Sequence, residues 1–130
     1  MTAAHTVLLI GEDPGLVDYS DPAIPEGMNP DVVWDGITEA QRRFETIGYR
    51  TDLCLTDLGE TAETVIAGKL AGARYDCIVI GAGLRLPPAN LRLFEKVINA
   101  VRSGAPETPI AFNTRPEDSP EAALRWLGHA

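Results

Sequence analysis

Two arginines and one acidic pair are the residues of this sequence best suited to do chemistry together. Glu12-Asp13, Arg85 and Arg115 each come shortly after a short apolar run. Guanidinium groups bind carboxylates and phosphates through paired hydrogen bonds, and a carboxylate near them is placed to act as a general base. The same residues also form inert ion pairs that only hold loops. Anion binding, catalysis and loop-holding are therefore the three alternatives.

The residues next to the arginines favour a ligand site. Glycines before Arg85 let a ligand or a neighbouring backbone approach closely, although glycines also simply turn a chain. Helices predicted to begin soon after each arginine would add backbone N–H groups that favour anions. The candidate ligand-binding residues are Gly81, Ala82, Gly83, Arg85, Asn113, Thr114 and Arg115, and the candidate catalytic bases are Glu12 and Asp13.

A long acidic segment, Glu12–Asn29, separates the first strand from the first helix. It contains three prolines and no periodic pattern, and loops of this length in a compact domain are often lids or binding loops. Asp13, Asp18 and Asp21 offer oxygen ligands that suit Mg²⁺, but their spacing matches no metal loop. We interpret the segment as a solvated acidic loop that acts as a lid, with Mg²⁺ binding by these aspartates and Glu12 as the alternative, and we predict no other cofactor.

Other common site patterns are missing from the sequence. The histidines, His5 and His129, lie at opposite ends and have no evident Ser or Cys partner, so no triad or metal site is predicted. Gly81-Ala82-Gly83 lacks the third glycine of a dinucleotide-binding loop, and no phosphate-binding G-x-x-x-x-G-K-[ST] motif occurs. The usual routes to NAD and ATP binding are therefore disfavoured.

The elements that must position these residues alternate between strand and helix. Short apolar or alternating runs predict four strands, at His5–Ile10, Tyr49–Leu55, Cys77–Ile80 and Thr108–Asn113. Helical spacing and capping residues predict helices from Asn29 to Gly48, from Thr61 to Ala71, from Pro88 to Ser103 and from Ser119 onward. Gly81–Leu86 is predicted to be a loop.

Strands that alternate with helices pair in parallel and are joined by right-handed crossovers. We therefore predict one three-layer α/β domain over residues 1–130. It is a doubly wound, flavodoxin-like or Rossmann-like fold with four strands in the order 2-1-3-4. Ligands in such folds bind outside the carboxyl ends of the strands. Strands one, three and four would bring all the candidate residues to that edge.

The segment Tyr75–Thr114 resembles the middle of a response-regulator receiver domain. Asp76 begins a buried strand, Pro87 follows the loop after it, and Thr108-Pro109-Ile110 leads to a strand that ends near Thr114. Glu12-Asp13 corresponds to the acidic pair with which receivers bind Mg²⁺. The resemblance covers about a third of the chain and implies a receiver-like shape and a bacterial type of protein.

The sequence departs from receivers where their chemistry lies. Gly81 stands at the phospho-acceptor position, and the final strand with its lysine is absent. Receivers also lack a loop like Glu12–Asn29. The resemblance therefore implies a degenerate receiver that binds a partner protein, not a working phosphorelay.

Composition limits the partners. The formal net charge is -8 at pH 7 and no basic run is visible, so nucleic-acid binding is not expected. No apolar stretch is long enough to span a membrane, and no positively charged segment precedes the first strand, so we expect a cytoplasmic protein. Uncovered edge strands would allow a homo-oligomer.

Three functions remain in order of preference. The first is binding of a small anionic molecule at the strand ends. The second is a hydrolase or lyase that uses the same cleft, with Asp13 or Glu12 as base and an arginine as electrostatic stabiliser. The third is the receiver-like interaction module.

Overall fold

The computed structural model describes residues 5–128, which form a parallel sheet covered by helices. The strands are β1 (Thr6–Glu12), β2 (Arg50–Thr56), β3 (Cys77–Ile80) and β4 (Ile110–Phe112). The helices are α1 (Pro30–Thr46), α2 (Ala62–Gly72), α3 (Ala82–Arg85), α4 (Leu91–Gly104) and α5 (Ser119–Leu127). None of the helices between residues 5 and 128 is long and apolar enough to cross a membrane. His129 lies outside the described residues.

The order of the strands is β2-β1-β3-β4, and every pair is parallel. In this register Leu9 of β1 lies between Leu53 of β2 and Val79 of β3. The predicted strand order is confirmed, and so is the three-layer, flavodoxin-like α/β architecture. All four carboxyl ends consequently meet at one edge of the sheet, where the candidate residues were expected.

Two apolar cores lie on opposite faces of the sheet. Along β1, Leu8 and Ile10 face α2, α3 and α4, whereas Val7 and Leu9 face α1 and α5. Burying a side chain of this kind contributes about 1.5–3 kcal/mol. Because both faces of the sheet are used for packing, side chains that could bind a ligand are expected at the ends of the strands.

The start of α1 follows the predicted capping pattern. The side chain of Asn29 accepts a hydrogen bond of 3.0 Å from Val32 N, and Pro30 is the first helical residue. Such a cap contributes about 1 kcal/mol. It also sets where the long acidic segment ends, and thereby anchors that segment at the carboxyl edge.

The segment after β3 differs from the prediction. A loop was expected over Gly81–Leu86, but Ala82–Arg85 forms the single helical turn α3. Leu84 of this turn is fully buried, and its packing against the core, which local spacing does not reveal, explains the helical turn. The following helix begins at Leu91, after a 3₁₀ turn at Pro88–Asn90, and not at Pro88.

Candidate functional site

The carboxyl edge of the sheet encloses a cavity of about 400 Å³. Leu9, Leu53 and Leu55 form its floor on the α1 face of the sheet, and α1 adds Val33 and Ile37. These walls are apolar. A cavity of this size with mostly apolar walls is within the range that binds small molecules.

The acidic segment closes one side of this cavity. Val17, Tyr19, Ile24 and Met28 line it from that segment, whose apolar side chains thus face inward. The Tyr19 hydroxyl donates a hydrogen bond of 2.6 Å to Pro14 O, which ties the middle of the segment to its start. Its position beside the cavity fits the lid that we expected from the sequence.

The aspartates of the segment serve its turns. Asp13, Asp18 and Asp21 each accept a hydrogen bond from the backbone N–H two residues later, at 2.8, 3.0 and 2.8 Å. This is the Asx-turn geometry that stabilises an irregular chain locally. Across residues 5–128, no three His, Cys, Asp or Glu side chains are grouped so that they could hold a metal ion.

Glu12 is the one acidic residue of the predicted pair that lines the cavity. It ends β1, is only 7 % exposed, and its Oε1 accepts a hydrogen bond of 2.9 Å from Asn90 Nδ2. Burial raises the pKa of this carboxyl above its ordinary value, and the nearby charges of Asp13 and Asp18 act in the same direction, while the bond from Asn90 opposes them. A buried carboxyl with a raised pKa is a common feature of functional sites.

Asp13 points elsewhere. Its backbone N–H donates to Thr56 O at 2.9 Å, and its carboxylate is used by the turn at Gly15. It does not line the cavity. The two neighbouring acids thus have different surroundings, because successive side chains at a strand end leave the backbone in opposite directions.

Asn113 holds the edge together. Its side-chain oxygen accepts from Ala82 N at 2.8 Å, and its amide donates to Ser119 Oγ at 3.0 Å. The residue is 2 % exposed and still lines the cavity. It therefore joins the end of β4 to α3 and α5, and it shapes the cavity wall with both ends of its amide group already in use.

Arg85 and Arg115 are not equivalent. Arg85 donates to Asn113 O at 2.9 Å and lies over the Phe112 ring, 5.6 Å from its centroid. It does not line the cavity, and its Nε is buried without a partner among residues 5–128. Arg115 is exposed and lines the cavity. Of the two arginines expected to bind the ligand, Arg85 thus lies behind the cavity wall and Arg115 lies at its surface.

The remaining candidate residues surround the same space. Thr114 lines the cavity, and its backbone N–H donates to Asp118 Oδ1 at 3.0 Å, while its hydroxyl donates to Asp118 Oδ2. The three residues that begin the segment after β3, Gly81, Ala82 and Gly83, also line it. Of the nine candidate residues, the edge therefore brings seven together, and Arg85 and Asp13 lie outside.

Several cavity residues were not identified as such from the sequence. Val33 and Ile37 fit a helix stripe, and Leu53 and Leu55 fit an alternating strand, and both patterns are also typical of residues in a packed core. Nothing in their spacing distinguishes a residue that packs on another element from one that faces a cavity. The length of the acidic segment was the only available signal that the α1 face would not be filled at this end.

Comparisons of this chain with protein-family models, with curated proteins and with solved structures found no match.

Proposed function

We propose that this protein binds a small molecule with an apolar body and an anionic group in the cavity at the carboxyl edge of the sheet. The observation that carries the proposal is the composition of that cavity. Its floor and lid are apolar, and its polar groups are gathered at the strand ends. Apolar walls with a few polar groups that orient the ligand are typical of small-molecule sites.

The anionic group is assigned to Arg115. Arg115 is the cationic side chain that lines the cavity, and no ion pair of the described residues involves it. Arg85 supports the wall through Asn113 O and is not assigned a ligand contact. Because Arg115 is exposed, water screens its charge, and its contribution to affinity is modest.

Calorimetric titration with 3-phenylpropanoate and its neutral amide tests this proposal. We expect the carboxylate to bind up to about fivefold more tightly, which corresponds to about 1 kcal/mol for an ion pair with an exposed arginine. Arg115→Gln should remove that preference. Arg92→Gln is the matched control, because Arg92 is an exposed arginine of α4 outside the cavity. Equal binding of the two compounds by the unaltered protein would overturn the anionic assignment.

One observation favours catalysis in the same cavity. Glu12 combines burial, a raised pKa and direct access to the cavity, which is the combination expected of a general acid or base. Arg115 would then stabilise the negative charge that develops on the substrate. The reaction class that follows is that of a hydrolase or lyase with Glu12, and not Asp13, as the base.

Hydrolysis of carboxylate-bearing nitrophenyl esters tests the catalytic alternative. We expect Glu12→Gln to lower kcat by about a hundredfold, the usual contribution of a general base. Asp13→Asn, the matched control, should lower kcat far less, because Asp13 lies outside the cavity and acts on Glu12 only through its charge. Turnover that is absent, or that survives Glu12→Gln, contradicts a catalytic role for this carboxyl.

Self-association stays a prediction. β2 is an edge strand of seven residues, and the hydroxyl of its Thr51 is buried without a partner among residues 5–128. A second copy that pairs with β2 would cover this edge. Sedimentation that shows a monomer at high concentration would remove this role, and with it the main support for a receiver-like interaction module.

A further inference from the structure

The second carboxylate oxygen of Glu12, Oε2, accepts no hydrogen bond from the described part of the chain. Oε1 accepts from Asn90, but no backbone or side-chain donor of residues 5–128 forms a hydrogen bond with Oε2. The side chain is more than nine-tenths buried, and it lines the cavity. Among residues 5–128, the fully buried side-chain atoms without a partner are Thr51 Oγ1 and Arg85 Nε, so Glu12 Oε2 is not sealed off and remains accessible from the cavity. Oε2 is therefore a free acceptor for a donor that enters the cavity.

No cation within residues 5–128 is paired with this carboxylate. None of the ion pairs of residues 5–128 includes Glu12, although Arg115 lines the same cavity. The charged groups that act on Glu12 are acidic, namely Asp13 and Asp18. This end of the cavity thus has a negative field, which attracts a cationic group on a ligand and repels a second acid.

We propose that the ligand carries an amine beside its acidic group, and that the amine donates to Glu12 Oε2 while the acid meets Arg115. A compact apolar molecule with both groups belongs to the class of apolar amino acids and their close analogues. The acidic half of this assignment rests on the function proposed above. The amine half rests on the unpaired oxygen and on the acidic surroundings of Glu12.

Asn90 prepares Glu12 for this role. Its amide donates to Glu12 Oε1 and also to Gly83 O, each at 2.9 Å. The two bonds fix the carboxyl group against α3 and leave Oε2 as the oxygen that a ligand can reach. Asn90 is therefore a positioning residue, and the contact itself is made by Glu12.

Three probes with one apolar body separate the two halves of the assignment. Phenylalanine has both groups, 3-phenylpropanoate lacks the amine, and 2-phenylethylamine lacks the acid. By calorimetric titration we expect phenylalanine to bind about tenfold more tightly than 3-phenylpropanoate, the value of one added charge-assisted hydrogen bond. Glu12→Gln should remove this difference. Glu117→Gln, which removes the same charge from another residue of the cavity, should preserve it.

The outcomes are distinct. Equal binding of phenylalanine and 3-phenylpropanoate by the unaltered protein overturns the amine contact and leaves the anionic ligand standing. Binding of 2-phenylethylamine as tight as that of phenylalanine overturns the acid at Arg115 and leaves the amine contact standing. A second series of leucine, 4-methylpentanoate and 3-methylbutylamine repeats the comparison with a smaller body. If no member of either series binds, both assignments are overturned.

Discussion

The two edges of the sheet use similar polar residues in opposite ways. At the amino edge, Asp76 Oδ2 accepts from Thr6 N at 2.8 Å, and Tyr75 OH donates to Asp52 Oδ2 at 2.7 Å. These carboxylates bind partners within the protein, and the bonds tie β1 to β3 and β3 to β2. These polar groups of the amino edge thus form hydrogen bonds within the protein, and they stabilise the fold.

At the carboxyl edge, part of the hydrogen-bonding capacity of the polar side chains is not used within the protein. Among residues 5–128, Glu12 has one oxygen bonded to Asn90 and a second that accepts no hydrogen bond and faces an apolar cavity of about 400 Å³. At the amino edge, by contrast, the carboxylates of Asp76 and Asp52 accept bonds from Thr6 N and Tyr75 OH. The contrast indicates that an acid at a strand end is a functional candidate when the surrounding chain does not fill the hydrogen-bonding capacity of its carboxylate.

The largest change in stability is expected for a substitution at Gly81, at the carboxyl edge. A Cβ at Gly81 would lie 3.3 Å from Ile10 O, a β1 carbonyl that already accepts from Gly81 N. We expect Gly81→Ala to lower the free energy of unfolding by about 1–3 kcal/mol, as overpacking does. Urea denaturation measures this change.

Gly83→Ala is the matched control for that substitution. A Cβ there meets no atom within 4 Å, and Gly83 lies in the helical turn α3, so this variant should be neutral or gain up to about 1 kcal/mol of stability. Equal losses from the two variants would contradict the view that Gly81 serves close packing against β1 while Gly83 borders open space.

A smaller effect is expected at the amino edge. Tyr75→Phe removes the hydrogen bond to Asp52, whose side chain is only 25 % exposed, and should cost about 1 kcal/mol of stability. Binding of 3-phenylpropanoate should not change, because Tyr75 lies outside the cavity. Urea denaturation and calorimetry test the two parts. A variant that loses binding but keeps its stability would reverse the roles assigned to the two edges.

The smallest effect concerns the pH dependence of stability. Because the pKa of Glu12 is raised from its ordinary value of 4.5 in the folded state, the folded protein holds this proton more tightly than the unfolded chain. The resulting stabilisation is complete below the ordinary pKa and is lost as pH rises through the folded pKa. Glu12→Gln should therefore gain stability relative to the unaltered protein between acidic and neutral pH.

Thermal unfolding across that pH range measures the difference between the two proteins. Asp76→Asn at the amino edge is the comparison variant, because it removes a carboxylate that accepts a hydrogen bond from Thr6 N and should lower stability instead of raising it. A stability difference between Glu12→Gln and the unaltered protein that does not change with pH would contradict the folded-state environment assigned to Glu12.

The sequence predicted the elements better than the site. The apolar run of β1 and the run Cys77–Ile80 encode buried strands locally, and Asn29-Pro30 encodes the start of α1, so the strand order followed from general chirality rules. Arg85 could not be assigned in the same way. Its use depends on Asn113 O and the Phe112 ring, which lie 27 or more residues away in the chain and meet it only after folding.

Local sequence patterns could not predict the cavity either. Leu53 and Val33 have the spacing of core residues, and only the path of the acidic segment leaves a space between them. The unequal surroundings of Glu12 and Asp13 likewise depend on Asn90, which is distant in the sequence. Sequence reasoning placed the acids at the correct edge, and tertiary contacts decided which of them faces the cavity.

Amide chemical shifts recorded during titration with phenylalanine test the central claim most directly. The account predicts that the perturbed amides cluster at the carboxyl edge, including Gly11, Gly83 and Thr114, and that saturation follows a single affinity. A recess of about 240 Å³ at the amino edge, lined by Arg74 and Thr108, provides the internal comparison. Shifts that cluster at this recess, or no shifts at all, would contradict a binding site at the carboxyl edge.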